Sequence, residues 1–435
     1  MKKIFATALA VWCALSLWAQ SATNSPYSQF GLGTLAPQST SFNRGMNGLS
    51  YGFYDGNQIN FQNPASYANL DSLTFLFDAG LSLQLTNFEE NGRKKNAQNG
   101  NIEYVAAAFR AFPRLGVSFG LMPYTNVGYN YSNTQNINAF PETSSASATY
   151  TNTFSGSGGL HQAYVGLGWQ PLKGLSVGGN FSYLWGTLNR SVVNTYSDTY
   201  VNTLSKIYEV DVRSYKLDFG LQYTARISKK DKLTLGLVYS LGHKLNADPQ
   251  VNVISKNSQT SVSDTTKFVI HDALELPHTF GAGLMWNRDN RIRIGFDYEL
   301  QKWQSIDMPE FSITNGVGKY SLVSGQFKDR QKFTLGGEYT KGKRYGSLLN
   351  RIRYRAGVSY ATPYLYIGGK EGPREISASV GFGIPLTSGY SDRSILSISG
   401  EWVNQTMMGA IKENMFRINI GLTFNERWFA KFKVK

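Results

Sequence analysis

The sequence predicts an all-β membrane protein. Its expected form is a transmembrane antiparallel β-barrel of about 14 strands, the even number typical of single-chain bacterial barrels, with an N-terminal hatch segment plugging the lumen. Three observations carry this. Period-two alternation of apolar and polar residues recurs along the chain. After an apolar leader, no stretch of about 18 apolar residues exists, which excludes a bundle of membrane helices. Aromatics make up 14% of the 435 residues and glycines number 44, a composition suited to many short strands and turns.

The leader comes first. Met1-Lys2-Lys3 is a positive start, Ile4 to Trp18 is apolar, and Ala19-Gln20-Ser21 offers small residues for cleavage. Residues 1–21 therefore read as a secretory signal peptide. The single cysteine, Cys13, lies inside it. A mature chain without thiols has no disulfides, thiolate metal sites or cysteine nucleophiles. The net charge is +14 and the pI about 9.5. Nucleic acid is an unsuitable partner for an exported chain. The excess points instead to anionic outer-membrane lipid and lipopolysaccharide, or to a cationic interior.

The first strand reads from Leu73, with Leu73, Phe75, Phe77, Ala79, Leu81, Leu83 and Leu85 on one face and Thr74, Leu76, Asp78, Gly80, Ser82 and Gln84 on the other. Later segments repeat the pattern. Leu217, Phe219 and Leu221 alternate with Asp218, Gly220 and Gln222; Ile294 and Phe296 with Arg293, Gly295 and Asp297; Ile418 and Ile420 with Arg417, Asn419 and Gly421. A soluble sandwich buries its apolar face, whereas a membrane barrel turns that face to lipid and its polar face to the lumen. Aromatic ends of the apolar faces (Tyr223, Tyr239, Tyr360, Trp402) and polar faces mixing Arg, Glu, Gly and Ser favour the barrel. So do short turns, 228–231 and 287–290, that alternate with polar connections expected as long loops at 132–152, 189–208 and 246–270. Closure also removes the edges that so many strands would expose. The barrel is placed at 71–424, followed by a basic aromatic tail at 425–435.

Residues 22–70 do not alternate. They are rich in glycine and proline, with Tyr27, Phe30, Phe42, Tyr51, Phe53, Tyr54 and Phe61 interspersed. A disordered arm is poor in aromatics, so a compact segment packed in the lumen is the expectation. Within it, Asn63-Pro64 reads as a rigid corner, because Pro64 lacks an N–H and Asn63 can bond the local backbone through its side chain.

The stretch from Gly45 to Phe75, GMNGLSYGFYDGNQINFQNPASYANLDSLTF, resembles the N-terminal hatch of the FadL outer-membrane family, transporters of long-chain fatty acids and hydrocarbons, in which an Asn-Pro-Ala triplet precedes strand one. Here the triplet is Asn63, Pro64 and Ala65. Leu276-Pro277, Gly283 to Trp286, Asp297 to Trp303, and Arg353 to Leu365 are similar to further family features. The tail beyond Phe424 and the lead-in from Ser25 to Leu35 depart from the pattern. The resemblance implies uptake of fatty acids or other hydrophobic small molecules through the cell outer membrane by a hatch-gated route. Gly45, Gly48, Asn63, Pro64 and Ala65 would be hatch and gating residues. The alternative it implies is a PorV-like partner in type IX protein secretion. Barrel assembly machinery is an expected partner for such a chain.

No motif of catalysis, phosphate binding or metal ligation is present, so no enzyme activity and no cofactor or metal is expected. His161, His243, His271 and His278 form no ligand pattern. Arg293, Arg351, Arg353, Arg355 and Arg417 share the polar faces of their segments. Arg293, Arg353, Arg355 and Arg417 are lumen candidates for binding a carboxylate; pairing with Asp297, Glu299, Glu338 and Glu401 is the competing use of the same charges. The resemblance also implies passage of an apolar solute through a gap in the barrel wall, for which a bulge or kink near Gly178-Gly179 or between Gly116 and Pro123 is a candidate; each CH₂ left in a wet channel would forgo about 0.8 kcal/mol.

Overall fold

The computed structural model describes residues 22–137, 148–342, 347–388 and 391–426. The leader, and the tail beyond Glu426, lie outside the described residues. The wall strands in chain order are β1 (Phe75–Glu90), β2 (Arg93–Phe112), β3 (Leu115–Ile137), β4 (Ala148–Leu172), β5 (Leu175–Tyr196), β6 (Thr203–Arg226) and β7 (Asp231–Ser240). The second half is β8 (His278–Arg288), β9 (Ile292–Lys302), β10 (Arg330–Thr340), β11 (Arg353–Ala361), β12 (Arg374–Ser388), β13 (Ser391–Thr406) and β14 (Lys412–Glu426). Each pairs antiparallel with its neighbour, and β1 pairs with β14 from Phe75↔Glu426 to Glu89↔Lys412. The sheet is thus a closed 14-strand barrel.

The two faces follow the alternation. On β1, Phe77, Leu81, Leu83 and Leu85 are exposed outside, while Leu76, Asp78, Ser82 and Gln84 are buried inside. Phe219, Leu237, Phe296, Val358 and Ile418 continue the exposed belt on other strands. Such a belt is stable only against lipid, where each large side chain gains about 1.5–3 kcal/mol over exposure to water. The barrel proper starts at Phe75 rather than 71, because Leu73 sits in a turn at φ 59°, and β14 runs to Glu426.

The turns expected at 228–231 and 287–290 are present. Asp289 and Asn290 hold φ of 53° and 54°, the left-handed pair that joins twisted strands in a tight hairpin. These turns, the entry to β1 and the exit of β14 share one end, which marks it as periplasmic. At the other end, two expected long loops are largely strand: β3 and β4 pair as far as Ile137↔Ala148, and β5 and β6 as far as Asn194↔Leu204. Their Asn-, Ser- and Thr-rich sequences lack alternation because both faces are polar there, above the apolar belt. Within 246–270, Gln250–Lys256 and Ser263–Val269 form a hairpin that pairs onto β6. An apolar cluster including Leu32, Val127, Leu245, Trp303, Phe327 and Leu365 packs towards the outer end.

Residues 22–74 lie against the inner wall. Thr34–Leu35 pairs with Asn126 and Thr125 of β3. Ser41–Arg44 makes one helical turn, and Pro64–Asn69 a short 3-10 helix. The wall is hollowed to receive this backbone by glycines on its inner face. A Cβ on Gly236 would stand 1.9 Å from the Tyr51 carbonyl oxygen; on Gly116, 2.0 Å from that of Tyr67; on Gly357, 2.4 Å from that of Met46. Gly220 meets Asn63 at 2.1 Å in the same way.

Gly236→Val fills the space of the Tyr51 carbonyl. The expected outcome is a barrel whose N-terminal segment is displaced, so that limited proteolysis of the detergent-solubilised protein cleaves between residues 22 and 70 while the native chain resists. Unchanged resistance would show that the segment does not depend on this seat.

Candidate functional site

A defect in the wall defines the site. β2 is 20 residues long and pairs with β1 along its length, but with β3 only from Phe112↔Leu115 to Val105↔Leu121. Beyond that point β3 pairs with β4 and, from inside, with Thr34–Leu35. The register of β3 against β4 slips between Pro123 and Thr125, where Pro123 has no N–H to give the ladder. The unpaired stretch begins at the height of Leu81, which pairs with Ile102 and belongs to the exposed apolar belt. The gap falls at Pro123, the end of the expected Gly116–Pro123 stretch. At Gly178-Gly179 the ladders to both neighbours are continuous, so no gap exists there; Gly178 instead makes room for Pro64.

Behind the gap lies a cavity of about 190 Å³, with Ile102, Val105, Leu121, Met122, Trp185 and Met415 among its apolar lining. Its polar groups include Gln84, Gln162, Glu413 and Arg417. A second cavity of about 220 Å³ occupies the central lumen. Thr34, Leu35, Ala36 and Pro37 line both, so this short stretch is the partition between them. Ser25 Oγ donates to Glu413 at 2.7 Å, and the Tyr27 hydroxyl bonds the Ile411 carbonyl, which pins the stretch from above.

Two buried ion anchors hold the segment from below. Arg44 reaches Glu103 of β2 at 2.8 Å, Asn419 of β14 at 3.0 Å and the carbonyls of Ser39 and Pro37. Asp55 takes Arg293 of β9 and Arg353 of β11, each at 2.8 Å. Arg355 lies beside them on Glu338 at 2.8 Å and over the Phe42 ring at 4.4 Å. Asp297 accepts the backbone N–H groups of Ser50 at 2.6 Å and Tyr51 at 2.9 Å, and the Tyr51 hydroxyl bonds Glu299.

The expected lumen arginines are therefore all inside, but they serve different ends. Arg293 and Arg353 hold the N-terminal segment and Arg355 is tied to Glu338. Arg417, paired with Glu401 at 3.1 Å and Gln84 at 2.7 Å, is the one of the four that lines both cavities. Arg351 is not on a strand face; it ends a 3-10 turn before β11. Arg44 and Asp55 were not singled out from the sequence. The available signal was simple: they are the only charged residues in 22–70, and a lone charge in a segment packed inside a barrel needs a partner.

Asn63 is fully buried and caps the 3-10 helix, its Oδ1 accepting from Ala65 at 3.1 Å while Nδ2 donates to the Tyr51 carbonyl at 2.8 Å. Pro64 supplies the first helical position, where no N–H is needed. Gly45 follows the turn at Ser41–Arg44, and Gly48 takes φ +88°, which disfavours any side chain.

Removing Asp55 leaves two guanidinium groups inside without their shared carboxylate. Asp55→Ala is expected to destabilise the seated segment by about 3 kcal/mol or more, read as faster proteolysis between residues 22 and 70 at unchanged barrel heat-resistance. Burial alone would raise the Asp55 carboxyl, but Arg353 and Arg293 outweigh it and hold it well below the ordinary value of 3.8. A depressed carboxylate stabilises fully above its unfolded value and loses that contribution as pH falls below it. Protection should thus be the same at pH 7 and pH 5, and decline only as pH drops below about 4. A loss already complete at pH 5 would contradict the ion anchor.

Solved structures with this architecture are channels and transporters. The toluene transporter TodX of P. putida aligns with a TM-score of 0.63 at 14% identity, over 91% of this chain and 100% of that one. The monoaromatic hydrocarbon channel CymD gives 0.58 at 17%, over 91% and 98%. A Pseudomonas aeruginosa FadL homologue gives 0.60 at 13%, over 90% and 98%. The FadL-type barrel expected from the hatch motif is thus the fold observed. No curated protein matches the sequence. The BamG family model matches residues 1–435, the whole chain, so the protein belongs to the BamG family and carries it on a FadL-type outer-membrane barrel.

Proposed function

We propose that the protein takes up hydrophobic small molecules across the outer membrane, with residues 22–70 acting as the hatch. The observation that carries this is the unpaired stretch between β2 and β3, which opens at the height of the apolar belt into an apolar-lined cavity. The apolar cluster towards the outer end favours this lateral door over an axial pore. An apolar solute passing sideways stays in hydrocarbon contact, and the stretch Thr34–Pro37 must shift for it to reach the central cavity. Size favours a single ring or short chain. The first cavity, about 190 Å³, is only somewhat larger than the roughly 150 Å³ pocket known to hold benzene. A long-chain fatty acid would need both cavities joined. The toluene and hydrocarbon channels of like fold support that substrate class.

The family assignment favours a second reading. The name BamG associates the chain with barrel assembly, and a match along its whole length is a closer relationship than 13–17% identity to channels. In that reading the barrel is a partner of the assembly machinery and the seated segment is a permanent plug.

One experiment separates them. Thr34 and Asn126 are direct cross-strand partners, close enough for a disulfide, and the mature chain has no other cysteine. In Thr34→Cys/Asn126→Cys cells, toluene uptake should fall to the level of a deletion strain when oxidised and recover on reduction. Uptake indifferent to the crosslink and to deletion, together with depleted levels of other outer-membrane barrels in the deletion strain, would instead establish the assembly reading.

A further inference from the structure

The charge of the barrel is unevenly distributed between its ends. At the outer end basic and acidic side chains pair: Lys302 with Asp329 at 2.6 Å, Lys328 with Glu371, and Arg330 with Glu299 at 3.6 Å. At the periplasmic end the described turns and strand ends carry Arg114, Lys173, Lys229, Lys230, Arg288, Arg291 and Lys341 against Asp71, Asp231, Asp289 and Glu426. Among the described residues of these turns, Arg288 and Asp231 stand 4.0 Å apart.

The same sign continues inward. A cavity of about 610 Å³ opens at this end between the seated segment and the turns, its charged lining being Lys232, Arg293, Arg351 and Arg353 with Asp55 and Asp71; Asp55 is held by Arg293 and Arg353. Among the described residues, the three guanidinium groups of Arg293, Arg353 and Arg355 share the two carboxylates of Asp55 and Glu338. The Nε of Arg351 is buried with no hydrogen-bond partner among the described residues. A basic rim around a vestibule whose cations outnumber its carboxylates is complementary to an acidic chain entering from the periplasm.

We infer that this vestibule docks an acidic segment of a periplasmic protein, whose carboxylates reach Arg351 and Lys232 while the rim charges hold the flanking chain. Headgroups of the surrounding bilayer fit less well, because the vestibule lies inside the barrel, between the seated segment and the inner wall of β7 to β13, and lipid meets only the outer wall. The site is distinct from the wall gap and independent of what passes through it. An occupant that also drew Arg293 or Arg353 away from Asp55 would loosen the seated segment, which links the periplasmic face to the partition above.

The test uses the full chain in neutral nanodiscs and a fluorescein-labelled oligoglutamate of about ten residues, with oligoglutamine as control. The glutamate peptide should bind and the glutamine peptide should not. Lys232→Glu/Arg351→Glu, and separately Lys232→Gln/Arg351→Gln, should weaken binding about tenfold or more, as should raising salt from about 0.05 to 0.5 M. Both variants are checked for retained heat-modifiable mobility and native resistance to proteolysis. Three outcomes would overturn the proposal: no binding, binding indifferent to the vestibule variants, or full competition by phosphatidylglycerol vesicles, which would make the rim a lipid contact.

Discussion

The rest of the structure depends on the close approach of the N-terminal segment to a wall without side chains. Tyr51, Met46 and Tyr67 present carbonyls to Gly236, Gly357 and Gly116 at distances that exclude even a methyl group. A segment of this kind has few strands of its own, so most of its backbone polar groups must be satisfied by the barrel. Glycine lets that happen. It brings main chain within reach of Asp297, Gln222 and Asn180, which bond the backbone of residues 50–61.

The ion anchors follow from that seating. Burying Arg44 and Asp55 alone would cost several kcal/mol each, more than packing returns. They are tolerated because the inner wall already carries complementary groups: the Glu103 carboxylate and the Asn419 amide oxygen for Arg44, the Arg293 and Arg353 guanidinium groups for Asp55. The two anchors attach the segment to different parts of the wall, Arg44 to β2 and β14 and Asp55 to β9 and β11. The segment is therefore braced across the lumen, while Thr34–Pro37, near the gap, is held by main-chain bonds to β3 and by the Arg44 and Gln38 side chains on the carbonyls of Pro37 and Ala36.

Three openings, the wall gap, the central cavity and the periplasmic vestibule, lie around this one segment. The apolar lining belongs to the gap and the cationic lining to the vestibule. Under the proposals above, apolar solutes and acidic chains would meet different faces of the molecule. A transporter and a periplasmically tethered partner are both served by that separation.

The sequence by itself determined the barrel, its lipid-facing belt and the inward arginines, because period-two alternation assigns every residue of a strand to a face once one face is known to be apolar. It also marked Asn63-Pro64 as a corner, since capping and the missing N–H are local chemistry. It misjudged the polar outer stretches, where strands exposed on both faces carry no alternation, and it left the gap between two glycine-rich candidates. The tertiary structure alone decided which strands fail to pair, which arginines are already occupied, and that Arg44 and Asp55 are anchors. Those facts depend on contacts between residues far apart in the chain, such as Asp55 and Arg353 or Arg44 and Asn419, and no local pattern encodes a partner at that separation.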